Sequence, residues 1–174
     1  MALAVCLLFD AHSDLRVREL WSRLEEVGIA TLATHTHRRH HPHLSYAVLR
    51  QWDLPRVQAV LSSLPPADPF SLTVHGAIAF SRGRVALAPA ITPDLGVRQS
   101  AAVTAVETTG AELHRHYRPG DWIPHVSVVT RAHGAQLPTV VRMVSDTVPL
   151  RVRVDTAALV DSATGQTWPL PHLF

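Results

Sequence analysis

Pro42-His43-Leu44-Ser45-Tyr46 and Pro124-His125-Val126-Ser127-Val128 are two versions of one pentapeptide, 82 positions apart. They do not stand alone. Asp14-Leu15-Arg16-Val17-Arg18 returns as Asp94-Leu95-Gly96-Val97-Arg98, and Leu54-Pro55-Arg56-Val57 returns as Leu137-Pro138-Thr139-Val140. Three matches in the same order, at offsets of 80, 82 and 83, indicate an internal duplication. The duplication decides the fold, because whatever one half builds the other builds again. The chain is read as one domain made of two repeats, about 1–84 and 85–174.

Each half opens on a short apolar strand, Ala4–Phe9 and then Val85–Ile91. In the first half Val17, Leu20, Trp21, Leu24 and Val27 recur at helical spacing and form one apolar face. Ser13 or Asp14 is the expected cap of that helix and Gly28 its stop. The matching segment, about Asp94–Tyr117, is alanine-rich. A loop then leads to the Pro-His-x-Ser strand. A second helix follows, with Pro55 or Pro138 in its first turn, where a missing N–H costs nothing. Each half closes on a hairpin. Ser71–Phe80 and Val85–Ile91 flank Ser81-Arg82-Gly83-Arg84, and Leu150–Val160 and Thr167–Leu170 flank 161–166. With strands and helices mixed and no Gly-x-Gly-x-x-Gly loop, the expected class is α+β. It should hold two antiparallel-type sheets with helices on their outer faces, pseudo-twofold symmetric about a central cleft.

Composition narrows the function classes. At 174 residues the chain can bury a core of its own. With 47% hydrophobic and 17% charged residues it is not disordered, and 8 Gly with 13 Pro exclude collagen-like repeats. All 16 basic residues are arginine, and 12 residues are histidine. Without lysine the charge curve is flat above neutrality, so a pI near 9.3 coexists with a net charge of only +2 and says little about polyanion binding. The amine nucleophiles are missing too, which leaves imidazole as the main proton carrier. Cys6 is the lone cysteine, so neither an intrachain disulfide nor a cysteine zinc site can form. The apolar run Ala2–Phe9 lacks a basic flank and is too short to cross a membrane; it reads as a buried first strand. The expectation is a soluble, cytoplasmic protein with no membrane association and no obligate protein partner.

The chemistry lies in the repeated pair. In a strand, residues i and i+2 point to the same face. His43 with Ser45, and His125 with Ser127, therefore each present an imidazole beside a hydroxyl, while Leu44, Tyr46, Val126 and Val128 face the other way. A pseudo-twofold sets the two pairs opposite each other across the cleft. That arrangement suits in-line displacement at phosphorus. One histidine takes a proton from the attacking oxygen, the other protonates the leaving oxygen, and the serines donate to the non-bridging oxygens. No cofactor or metal is needed for it.

Two His-x-Ser/Thr motifs about 80 residues apart on a duplicated α+β frame resemble the 2H phosphoesterase superfamily, in its 2′-5′ RNA ligase-like branch. The resemblance spans essentially the whole chain. It implies cyclic phosphodiesterase or related activity on 2′,3′-cyclic phosphates or 2′-5′ linkages, with His43, Ser45, His125 and Ser127 as the catalytic tetrad. The implied partner is a small nucleotide or an RNA 3′ end carrying a cyclic phosphate. Members that process RNA ends often have threonine in the motif and an arginine about five residues after the second histidine. Here both positions are serine, and Arg131 lies six residues past His125. Ligation in the reverse direction needs the same four side chains. A binding module that kept the cleft without turnover is the alternative from another class.

Around the tetrad, Trp122 and Tyr117 are candidates to stack on a base, as is Trp52. Arg131, Arg39 and Arg50 are candidate phosphate contacts. His35, His37, His40 and His41 crowd ahead of His43, but no acid or cysteine lies among them and Arg38 and Arg39 would repel a cation. They are read as an arginine-containing loop at the cleft mouth rather than as a metal site.

Overall fold

The computed structural model describes residues 2–174, and its elements follow a β-α-β-β-α-β series twice over. The first series is β1 (Leu3–Phe9), α1 (Ala11–Glu26), β2 (Ala30–Thr31), β3 (His43–Gln51), α2 (Leu54–Ser62) and β4 (Phe70–Phe80). The second is β5 (Arg84–Pro89), α3 (Pro93–Glu107), β6 (Glu112–Leu113), β7 (Val126–Arg131), α4 (Leu137–Ser145) and β8 (Leu150–Asp161), to which β9 (Thr167–Pro169) is added.

The helices form where the apolar spacing predicts, with two differences at their ends. α1 buries Val17, Leu20, Trp21 and Leu24. Its cap is Asp10, which accepts from the Ser13 amide at 2.8 Å, rather than Ser13 or Asp14. Ser13 instead turns inward, and its hydroxyl accepts from the Arg153 amide at 2.9 Å. α3 starts on Thr92, whose hydroxyl accepts from the Leu95 amide at 3.1 Å, and stops at Glu107, well before Tyr117. The Thr108 and Thr109 hydroxyls compete for the last carbonyls, those of Ala105 and Val106, at 2.6 Å each. Gly110, at φ +77, then takes the chain out of the helix. Pro55 and Pro138 sit in the first turns of α2 and α4, as expected.

The nine strands of the described residues join one antiparallel sheet, in the order β2-β7-β5-β4-β8-β1-β3-β6, with β9 on β8. This corrects the expectation of two separate sheets. β4 and β8 are the long strands, of 11 and 12 residues, and they pair from Phe70 opposite Val154 to Val74 opposite Leu150. Their pairing removes the two open edges that separate sheets would have left at this junction. Each end of the sheet also mixes the halves, since β2 pairs with β7 and β6 with β3. The helices follow suit: α1 packs with α4, and α2 with α3. Exchanging the corresponding elements of the two series reproduces the same strand order read backwards.

The core runs the length of this arrangement. β1 is buried along almost all of Leu3–Phe9, which explains its unbroken apolar run: as an interior strand it pairs with both β3 and β8.

Candidate active site

The two His-x-Ser strands share an irregularity. Cys6 of β1 stands opposite Ser45 and Val5 opposite Ala47, so Tyr46 is an extra, unpaired residue. Ala86 of β5 stands opposite Ser127 and Val85 opposite Val129, so Val128 is the extra residue there. A bulge bends its strand and re-aims nearby side chains, and here one follows each serine directly. The residues expected to pack inward do so: Leu44, Tyr46, Val126 and Val128 are buried, while His43, His125 and Ser127 stay partly exposed. Ser45 is more enclosed, at 9% exposure.

Both imidazoles are fixed in the same way. His43 Nδ1 donates to the His41 carbonyl at 2.7 Å, and His125 Nδ1 donates to the Ile123 carbonyl at 2.8 Å, in each case two residues back. With Nδ1 occupied, Nε2 is the nitrogen left to exchange a proton.

The motif strands β3 and β7 lie five steps apart in the sheet, yet they approach within 8 Å between Cα atoms. Side chains tie them further. Trp122 Nε1 donates to the Ser45 carbonyl at 3.0 Å, linking the segment that enters His125 to the strand of the first motif. Gln99, buried in α3, donates from Nε2 to the Tyr46 carbonyl at 3.1 Å and to the Tyr117 carbonyl at 2.8 Å. The Tyr117 hydroxyl lies near the Ser45 side chain. The structure brings His43, Ser45 and Tyr117 into one neighbourhood with His125, close enough for the two imidazoles to feel each other's charge.

Electrostatics separate the two histidines. Burial alone would lower His43, but the Cys6 sulfur beside it and the His41 carbonyl outweigh burial and push it up to about 9. Burial lowers His125, the Ile123 carbonyl only partly restores it, and the charges of His43 and Arg84 lower it further, so it falls below the ordinary imidazole value. The two environments push the imidazoles in opposite directions, His43 above and His125 below the ordinary value. Tyr117 keeps its proton throughout, burial pushing it up to about 12.

The other residues singled out by sequence make contacts of their own. Arg131 closes β7 beside Ala30 of β2, about 20 Å along an extended strand from His125. Arg39 donates from Nη2 to the Thr164 carbonyl at 2.8 Å, which fastens its loop to the β8–β9 turn. Arg50 pairs with Glu112 at 3.8 Å, and Trp52 packs against the core. Trp122 spends its indole N–H on Ser45 and meets Tyr46 edge-on at 6.0 Å between ring centres. In the histidine loop, His37 and His40 lie 4.1 Å apart between ring centres, and burial with the neighbouring imidazoles takes His40 down to about 4. Among the described residues no three histidine, cysteine or acidic side chains converge as metal ligands.

Three residues of this neighbourhood were not singled out by sequence. Cys6 puts its Sγ 3.8 Å from the Ser45 hydroxyl, Phe80 rests its ring 4.9 Å from that of His125, and Arg84 acts on His125 and Tyr117 through its charge. Strand register was the missing signal. Cys6 and Ala86 look alike as small core residues until pairing sets each against its serine.

Two His-x-Ser motifs on a twice-repeated β-α-β-β-α-β frame resemble a 2H phosphoesterase. The profile of the 2′-5′ RNA ligase superfamily matches residues 10–166, and the chain belongs to that superfamily. No curated protein sequence matches it. Among solved structures it is similar to apo LigT of Escherichia coli, at 16% identity and TM-score 0.64, over 97% of this chain and 94% of that one. LigT complexed with 3′-AMP aligns at 14% identity and TM-score 0.62, over 98% and 97%. Usb1 of Kluyveromyces marxianus aligns at 13% and 0.52, over 98% and 96%. At these identities the likeness is one of fold.

Proposed function

We propose that this protein is a metal-independent phosphoesterase that opens cyclic phosphodiesters, a 2′,3′-cyclic nucleotide or RNA-end phosphate, with His43, Ser45, His125 and Ser127 as its catalytic groups. One observation carries the reading: two imidazoles with Nδ1 tied to the carbonyl two residues back, one above and one below the ordinary pKa, in strands that meet. His125, neutral, takes a proton from water as the water oxygen bonds to phosphorus. The ester bond to the leaving ribose oxygen breaks, and His43, protonated, supplies the proton that this oxygen needs. Ser45 and Ser127 donate to the non-bridging oxygens as charge builds there. The product is a phosphate monoester beside a free hydroxyl, and the two imidazoles exchange protons with solvent to return to their starting states. The two proton transfers need no Lewis acid, so the reaction runs in a chelator.

The two repeats, about 1–84 and 85–174, form one pseudo-twofold domain around this cleft in our reading; the matching bulges and the reversible strand order support it. The crystal of LigT with 3′-AMP and that of Usb1 with uridine monophosphate support a nucleotide as the ligand class. We place the protein in the cytoplasm, where its composition fits; among the described residues no helix is long and apolar enough to cross a membrane.

The superfamily's name favours a second reading, 2′-5′ joining of RNA ends, in which a 5′-hydroxyl takes the place of water as the group that attacks the cyclic phosphate. Incubation in EDTA with 2′,3′-cyclic nucleotides, 2′-5′ dinucleotides and a matched pair of RNA ends separates the readings. A phosphate monoester from attack by water supports the hydrolase, and a 2′-5′ diester from attack by the 5′-hydroxyl on the cyclic phosphate supports the ligase. Tight binding with neither product supports a non-catalytic module.

A further inference from the structure

One cation on the cleft side belongs to neither motif. Arg84 opens β5 as the direct cross-strand partner of Phe80, and such partners share a face of the sheet. The Phe80 ring lies against His125. Two residues on, Ala86 faces Ser127, so strand alternation puts Arg84 on that same side. Its exposed guanidinium donates from Nε to the Ser81 carbonyl at 3.3 Å, and among the described residues no carboxylate pairs with it. Its charge reaches His125, Tyr117 and His114.

The turn before Arg84 is clamped to the end of the second motif strand. Gly83, at φ +69, accepts from the Ala132 amide at 2.7 Å, and a Cβ on Gly83 would strike the Ala132 backbone. Arg84 is therefore held in a set relation to Ser127 and His125. At the corresponding place in the first series, two residues before Cys6 as Arg84 is two before Ala86, stands Ala4. The cleft carries this cation on one side only. An unpaired guanidinium beside an imidazole is unfavourable until an anion lies between them.

We propose that Arg84 is a substrate-binding residue that grips the anionic oxygens of the substrate phosphate on the His125 side of the cleft, and so sets which way round the phosphodiester lies. The proposal rests on the phosphoesterase reading. The planar fork of a guanidinium suits two phosphate oxygens at once, and the one-sided placement ties the anion to the histidine that takes the proton from water.

Inorganic phosphate, titrated into the wild-type protein and into Arg84→Gln and Arg84→Lys while the His43 and His125 ring signals are followed by NMR, tests it. Phosphate is expected to move both imidazoles of the wild type saturably. Arg84→Gln should bind it about tenfold more weakly or worse, and Arg84→Lys should recover part of the loss. Without phosphate, Arg84→Gln should also raise the His125 pKa, which a merely structural role would not do. Equal phosphate affinity in wild type and Arg84→Gln overturns the assignment of Arg84 and leaves the paired histidines intact. Phosphate that moves neither imidazole of the wild type overturns both.

Discussion

Cys6 stands opposite Ser45 on the neighbouring strand, its Sγ 3.8 Å from the serine hydroxyl, and at the equivalent register in the second half Ala86 stands opposite Ser127. The duplicated frame builds two nearly equal imidazole sites, and this difference, together with the one-sided Arg84, makes them unequal. The sulfur raises His43, while His125, which has a methyl in its place, is left to burial and to the positive charges around it. The two imidazoles are thereby pushed in opposite directions, His43 upward and His125 downward.

Replacing Cys6 by alanine should therefore lower the His43 pKa from about 9 and leave His125 close to where it is. The cost in stability should be about 1 kcal/mol, because the side chain removed is small and fully buried. NMR titration of the two ring signals checks both statements. An unchanged His43 would show that the sulfur does not control it.

The pH dependence of kcat/KM carries a definite sign. His125 must be neutral, and its pKa is lowered, so activity should rise on an acid limb below the ordinary imidazole range. His43 must be protonated, and its pKa is raised, so activity should fall on an alkaline limb near pH 9. The plateau between them spans neutrality. In Cys6→Ala only the alkaline limb should move, toward lower pH. A profile whose limbs both lie above pH 8 would contradict the assignment of His125 as the base.

His43→Ala and His125→Ala should each lower kcat by about 10²–10⁴-fold, the usual worth of one general acid or base. Ser45→Ala and Ser127→Ala should lower it by about 10²-fold or more if each hydroxyl stabilises the phosphorane oxygens. All four variants should keep the wild-type thermal midpoint to within a few degrees, because the histidines are partly exposed and each serine is small. Activity near wild type in either histidine variant would remove that residue from the mechanism.

Gly83→Ala should destabilise the protein by about 3 kcal/mol, combining a left-handed backbone with a clash against the Ala132 backbone that no side-chain rotation relieves. Chemical denaturation measures it. Gly28→Ala, where a Cβ meets nothing within 4 Å, is the control and should cost only about 1 kcal/mol, from backbone strain alone.

Much of this was legible in the sequence, and the exceptions have physical causes. Helices and hairpins were readable because apolar spacing and turn residues are local signals: α1 buries the stripe from Val17 to Leu24, and the turns at 81–83 and 161–166 fall where Gly and Asp placed them. The single sheet was not readable, since the pairing of Phe70–Val74 with Leu150–Val154 joins segments 80 residues apart and leaves no local mark. The same holds for the site. His43, Ser45, His125 and Ser127 announce themselves by repetition, whereas Cys6, Phe80 and Arg84 matter only through the strand register that sets them beside those four. Arg131 shows how sequence proximity and strand position differ, since six residues on from His125 it closes β7 opposite Ala30 of β2.

The most direct test is the conversion of 2′,3′-cyclic AMP in the presence of EDTA, followed by ³¹P NMR with the wild-type protein and with His43→Ala and His125→Ala. The account predicts that the wild type turns the cyclic phosphate signal into that of a monoester and that neither variant does so at a comparable rate. A wild-type protein that leaves the cyclic phosphate untouched, or that opens it only when a divalent metal is restored, would contradict it.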